Sequence, residues 1–201
     1  MECSCQTIDI LGVTQTILSA LSLVVAWYIP IRIMRNQRYE SLLQEYMSND
    51  YGDAIRGVID FYVEKCKSKV ELIPIEYNKL FTQKEKLSED DQNSEKEKKL
   101  KEDNFSKLHN QRRLLNYFFW QLDSCAKSSP YLKRKIQKEF TKSEAYICKI
   151  LIYMNNAIDE NPKIFKDISN IKYENMPQTK GINKSLKNIF VLLKNQNRWI
   201  D

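Results

Sequence analysis

The chain has 201 residues, with 32 Lys and Arg against 26 Asp and Glu, five Cys, four Gly and one His. This length suits one domain with a short appendage, and so few glycines disfavour turn-rich β-sandwiches and barrels. The glycines never cluster as a phosphate-binding loop requires, and a single histidine excludes multi-histidine metal sites. We therefore expect no metal and no cofactor, and no small-molecule substrate is implied.

The N-terminal part of the chain carries the signature of a membrane span. Residues 10–31 contain no charged side chain, and a helix of this length is about 33 Å long, which matches a hydrocarbon core of about 30 Å. Trp27 and Tyr28 lie near one end, where aromatic rings favour the headgroup level. Three arginines follow the apolar stretch: Arg32, Arg35 and Arg38.

The charge distribution predicts the orientation of this span. The first 31 residues have a net charge of −2 and no Lys or Arg, whereas the remaining 170 carry +8. Because positive flanks stay in the cytoplasm, we expect residues 1–9 outside, a transmembrane helix over 10–31 and a cytosolic domain over 32–201. A secretory signal peptide would instead need a basic start, a shorter apolar run and a small-residue cleavage site.

One face of the predicted span is small and polar. At about 100° per residue, the side chains on this arc of about 120° are Gly12, Gln15, Thr16, Ser19, Ser22, Leu23, Ala26 and Pro30. Such residues let helices approach closely and hydrogen-bond in lipid. Three interpretations stay open: packing against one copy or partner, lining a water-filled pore formed by several copies, or a lone anchor whose hydroxyls bond its own backbone.

The sequence predicts that the rest of the chain is helical. Apolar residues recur at helical spacing over 55–66, 108–122, 132–158 and 182–193, while Pro74 is expected to break any helix in its segment. The charged run 83–101 predicts either a mobile insertion or a solvated helical hairpin, and a capping box at Ser94 predicts a helix start. The sequence therefore predicts an all-α chain: one N-terminal transmembrane helix followed by a cytosolic bundle of four to six helices.

The only imidazole belongs to His109. Arg112 and Arg113 follow it by three and four positions and share its helical face, which indicates a candidate degenerate HEPN-like or RNA-contact site. The ordinary alternative is a surface histidine beside arginines that pair with carboxylates. Helical RNases of the HEPN type use the pattern R-x4–6-H, and no arginine precedes His109 at that spacing. We therefore expect no catalytic residue and no enzyme activity.

Two further groups of residues have more than one interpretation. The basic run at Lys133, Arg134, Lys135, Lys138 and Lys142 either attracts RNA or anionic lipid or is simply a solvated helix face. Three cysteines, Cys66, Cys125 and Cys148, fall in the predicted cytosolic domain, where a reducing environment favours buried free thiols.

The layout of the chain resembles a known family. The chain resembles the small membrane accessory protein of type VI-B CRISPR systems. The shared features are a short acidic N-terminus, one membrane helix over 10–31, the arginines that follow it and an all-helical domain rich in Lys, Asn and Ile. The resemblance implies a divergent HEPN-like domain, location in the bacterial inner membrane and assembly into a membrane pore that strengthens antiphage defence. It also implies a CRISPR RNA-targeting effector or RNA as a partner.

Together the polar face and the resemblance predict a homo-oligomeric pore of more than two copies in the lipid bilayer. Leu23 is the candidate constriction, and we expect Asp9 to lie at the outer mouth and Arg32 and Arg35 at the inner one. The alternatives are a membrane-tethered adaptor that recruits a soluble partner and, third, a divergent HEPN-like RNase. Four side chains are expected to line the pore: Gln15, Thr16, Ser19 and Ser22.

Overall fold

The structure, a computed structural model, describes residues 10–80, 95–160 and 179–195, and every regular element in these ranges is helical. The predicted all-α fold is thereby confirmed. In chain order the elements are α1 (Ile10–Tyr46), α2 (Asn49–Asp60) with a π-helical turn (Phe61–Lys65), a 3-10 turn (Val70–Leu72), α3 (73–80), α4 (Glu95–Ser128), α5 (Pro130–Glu139), α6 (Lys142–Glu160) and α7 (Thr179–Lys194).

The first helix extends far beyond the predicted span. It runs for 37 residues without interruption and contains Pro30. Within the described residues, α1 is the one helix long and apolar enough to cross a membrane, and none of its most apolar window is buried by the rest of the chain. Leu23, for example, is 71% exposed. The helix therefore has the length and composition of a membrane span, and it projects from the domain.

The C-terminal half of α1 is part of the domain core. Tyr39 and Leu42 are buried, and Tyr46 packs against the core. The Tyr46 ring stacks on Phe118 with centroids 4.5 Å apart and meets Phe140 edge-on at 5.4 Å. Aromatic pairs of this kind stabilise by about 0.5–1.5 kcal/mol beyond their buried area. A single helix thus joins the apolar stretch to the core.

The long helix α4 is the centre of the bundle. It contacts α1, α2, α5, α6 and α7, while α6 and α7 form the most extensive pair. Six described helices follow α1, at the upper end of the predicted four to six. Four apolar side chains of α4 that were predicted from its spacing are fully buried: Leu115, Phe118, Phe119 and Leu122.

Some predicted boundaries differ from the structure. Pro74 does not prevent a helix, because it lies in the first turn of α3, where its missing N–H has no intrahelical acceptor. Of the charged run 83–101, the part from Glu95 onward is helical, which fits the predicted start at Ser94. The remainder of that run and the external segment 1–9 lie outside the described residues.

The three cysteines of the domain are buried free thiols, as expected. Burial and the nearby Glu76 carboxylate raise the pKa of Cys66 to about 11, and burial likewise raises the pKa of Cys125 and Cys148. Because the thiolate is the reactive form, a rise of about two units lowers its population about 100-fold at neutral pH.

We expect these three thiols to resist iodoacetamide near neutral pH in the folded protein and to react readily in concentrated guanidinium. Site-resolved mass spectrometry of the alkylated chain measures this for each cysteine separately. Rapid labelling of Cys148 in the native protein would contradict the described packing, since this side chain is wholly buried.

Candidate functional site: the polar face of α1 and the buried polar cluster

The small polar side chains predicted on α1 lie on its uncovered part. Gln15, Thr16, Ser19 and Ser22 are all exposed, as is Leu23 on the same arc. The Ser22 hydroxyl donates to the Ser19 carbonyl oxygen at 2.8 Å, so this hydroxyl is partly satisfied within the helix. The larger Gln15 amide carries two donors and an acceptor, and its burial in lipid without a partner is costly.

The polar face points away from the helical domain. The side chains through which α1 meets the domain include Arg32, Tyr39 and Tyr46. At about 100° per residue, these positions centre about 160–170° from the centre of the polar face. Copies of the chain that met through their polar faces would therefore carry their domains on the outside.

The polar face of α1 continues on the C-terminal side of the apolar stretch. Gln37, Ser41 and Gln44 fall on the same arc and are exposed. They share a shallow, open groove with Ile33, Asn36 and Glu40. From Gln15 to Gln44 the face is about 44 Å long at 1.5 Å per residue. Sequence reasoning missed this continuation because it treated the span as ending at residue 31, although the signal was present in the spacing of the glutamines.

The two arginines expected at the inner mouth lie on the domain side of α1. The Arg32 guanidinium carbon is 5.7 Å from the centroid of the Tyr131 ring, a cation–π distance. The Arg35 Nη1 donates to the Ser128 carbonyl oxygen at 2.8 Å. Lys135 of α5 forms an ion pair with Glu40 of α1. These contacts fasten α1 to the turn between α4 and α5. Asp9 lies outside the described residues.

His109 and Arg112 are buried, contrary to the surface position of the ordinary interpretation. They are 4% and 7% exposed, while Arg113 is half-buried. The Tyr77 hydroxyl of α3 lies 3.0 Å from His109 Nδ1, and the direction of that hydrogen bond depends on the histidine tautomer. Both side chains therefore contact groups inside the domain.

An asparagine network lies beside Arg112, and together with Arg112, Tyr77 and His109 it forms what we call the buried polar cluster. The Asn155 side-chain oxygen accepts hydrogen bonds from Arg112 and from Asn116, the latter at 2.9 Å. The Asn155 amide donates to Asn183 Oδ1 at 2.9 Å. Burial raises the pKa of Tyr77, and the adjacent Arg112 guanidinium partly offsets this rise. The cluster thus links α3, α4, α6 and α7.

Comparison with known proteins adds no assignment. The chain matches no family model, no curated protein and no solved structure. Within the described ranges, no group of three or more His, Cys, Asp or Glu is arranged to hold a metal ion. The functional argument therefore rests on the geometry of α1 and its attachment to the domain.

The buried polar cluster predicts a strong effect of Asn155→Leu. The substitution removes the amide oxygen that accepts from the buried Arg112 guanidinium, so we expect the free energy of unfolding to fall by about 2–3 kcal/mol. Thermal unfolding of the detergent-solubilised chain, followed by circular dichroism, measures the shift. The matched control is Asn110→Ala, at an exposed position on α4, which should cost below about 1 kcal/mol. Equal effects of both variants would contradict a stabilising role for the cluster.

Proposed function

We propose that this chain forms a homo-oligomeric membrane pore in which several copies of α1 cross the bilayer and turn their polar faces toward a water-filled lumen. The observation that carries the proposal is that the exposed polar face lies opposite the face by which the same helix docks on its domain. Residues Gln15, Thr16, Ser19 and Ser22 would then line the lumen, and Leu23 would form an apolar constriction that gates by dewetting.

The cost of desolvation favours association over a lone anchor. Hydroxyl groups can bond to the carbonyls of their own helix, as Ser22 does to Ser19. The Gln15 amide is long and exposed, and in lipid it needs either water or a neighbouring helix to satisfy its hydrogen-bonding groups. A shared lumen supplies water to every copy at once.

Helix dimensions set a lower limit on the number of copies. Neighbouring helices pack about 8–10 Å apart and are about 10–12 Å wide with their side chains, so a ring needs about five or more helices before water fits along its axis. The domains do not obstruct such a ring, because they lie on its outer side. Gln37 and Ser41 would extend the polar wall into a cytosolic vestibule, whereas Arg32 and Arg35 would face away from the lumen.

The resemblance to the type VI-B accessory proteins suggests the biological setting. In the bacterial inner membrane, with the N-terminus outside, opening of the pore would depolarise the cell during antiphage defence. A CRISPR RNA-targeting effector or RNA acting on the cytosolic domain would be the trigger. Asp9 at the outer mouth would bias ion preference through its local potential.

A membrane-tethered adaptor is the second candidate, because the same polar face would also serve a dimer that conducts nothing. Light scattering of the purified chain in detergent separates the two, since two helices enclose no lumen. A divergent HEPN-like RNase is weaker, because His109 and Arg112 are buried and bonded to Tyr77 and Asn155.

The pore predicts that the double variant Gln15→Leu, Ser19→Leu lowers ion leakage from liposomes about tenfold or more, because it makes the lumen wall apolar. Dye or ion release at matched protein-to-lipid ratios measures the effect. Thr14→Leu is the matched control: it also replaces a polar side chain by leucine, but it falls about 140° from the centre of the polar face and should leave leakage unchanged. Tight vesicles with the parent protein at every concentration would rule out the pore.

A second prediction concerns the rotation of the polar face about the α1 axis relative to the domain. Two alanines inserted between Pro30 and Ile31 rotate the polar face by about 200° relative to the domain and should abolish leakage, whereas four alanines rotate it by about 400° and should restore most of it. Because the longer insertion lengthens the helix more, recovery cannot arise from length. Equal leakage from both insertions would show that the position of the domain does not matter.

A further inference from the structure

We propose that the turn between α4 and α5 docks on the anionic phospholipid headgroups of the leaflet in which the α1 span ends. The surface, which we call the basic turn, consists of Lys127, Tyr131 and Arg134 together with Arg32 and Arg35 of α1. The inference rests on the membrane span of the proposed function, but it does not require that the span form a pore.

Two contacts fix the height of this turn along α1. Arg35 donates to the Ser128 carbonyl oxygen at 2.8 Å, and Arg32 lies over the Tyr131 ring. At 1.5 Å per residue, Arg32 and Arg35 are about 2–6 Å beyond Ile31, within a headgroup layer about 5–7 Å thick on each side of the hydrocarbon core. Ser128 and Tyr131 are therefore held at headgroup depth.

The direction of α4 explains why only its end reaches this layer. Phe118 stacks on Tyr46, whereas Ser128 meets Arg35, so α4 runs antiparallel to α1. The two contacts are ten residues apart on α4 and eleven residues apart on α1. The two helices therefore cover nearly the same distance between these contacts, which means that their axes are close to parallel. The C-terminal turn of α4 and the first turn of α5 consequently face the bilayer, while the body of α4 lies deeper in the domain.

The side chains of the basic turn suit an anionic lipid surface. Tyr131 is 52% exposed, and tyrosine rings favour the headgroup level. The Lys127 side chain is 57% exposed and contacts one carboxylate, that of the buried Asp123. Arg134 is exposed about one helical turn after Tyr131. With Arg32 and Arg35 the surface holds four cations against that one anion, and such clusters attract anionic headgroups.

Position favours lipid over RNA as the occupant. A polyanion that approached the basic turn would have to enter the headgroup layer, where anionic lipids repel it and compete for the same cations. The phosphate of a phospholipid is already at that depth. The shared chemistry is a phosphodiester, and the source to which the geometry points is the bilayer itself.

The test uses the full chain in detergent, titrated separately with phosphatidylglycerol and phosphatidylcholine of identical acyl chains, with bound lipid counted by native mass spectrometry. We expect the parent to bind phosphatidylglycerol at least about 100-fold more tightly than phosphatidylcholine, because each of the four cations contributes about fivefold. The double variant Lys127→Gln, Arg134→Gln should weaken phosphatidylglycerol binding about fivefold for each cation removed, with phosphatidylcholine binding unchanged. The charge-conserving pair Lys127→Arg, Arg134→Lys should retain the preference.

The matched control is Lys180→Gln, Lys184→Gln, which removes two exposed cations at the start of α7. These residues flank Asn183, which bonds to Asn155 beside Asn116, and Asn116 is about 18 Å further from the membrane than Ser128 along α4. That distance exceeds the Debye length of about 8–10 Å, so the parental preference should persist in this variant.

Three outcomes would overturn the proposal: equal affinity of the parent for both lipids, equal losses in the two double-glutamine variants, or tighter binding of a short RNA that Lys127→Gln, Arg134→Gln abolishes. Failure of the pore is recognised separately, since vesicles that do not leak leave the lipid preference measurable. If the parent does not float with phosphatidylcholine vesicles, the membrane span itself is wrong, and the docking proposal falls with it.

Discussion

The rest of the structure depends on the continuity of α1. One uninterrupted helix leaves its apolar window uncovered and then inserts Tyr39, Leu42 and Tyr46 into the core of the domain. Because side chains on a helix keep a fixed angular spacing, docking one end sets the direction in which every residue of the other end points. The polar face is therefore oriented by contacts made further along the helix, among them the stacking of Tyr46 on Phe118.

The domain that receives α1 is held together by an apolar core and by the buried polar cluster. A buried guanidinium is costly unless hydrogen bonds satisfy it, and Arg112 meets the Asn155 oxygen and the Tyr77 hydroxyl. Hydrogen bonds of this kind favour one arrangement of the helices, because each buried polar group that loses its partner lowers stability. The cluster includes His109 and Arg112 of the candidate site predicted from their helical spacing, and these side chains contact Tyr77 and Asn155.

Most of the fold followed from local patterns, whereas most of the site did not. Some features are properties of short segments, so the sequence alone reveals them. They are the length and composition of residues 10–31, the apolar spacing of α4 and the burial of the cysteines as free thiols. The partners of His109 and Arg112 come from α3 and α6, which are distant in sequence and have no motif to connect them. The role of Pro74 depended on whether it stood inside a helix or in its first turn, which spacing did not decide.

The proline within α1 has a consequence for the main chain. Pro30 has no N–H, so the carbonyl oxygen of Ala26 lacks the donor that an α-helix normally provides four residues later. Both residues lie on the polar arc, at a level where the side chains of Leu23 and Ala26 offer no polar atom. In the proposed pore, this carbonyl oxygen would be available to bind water from the lumen.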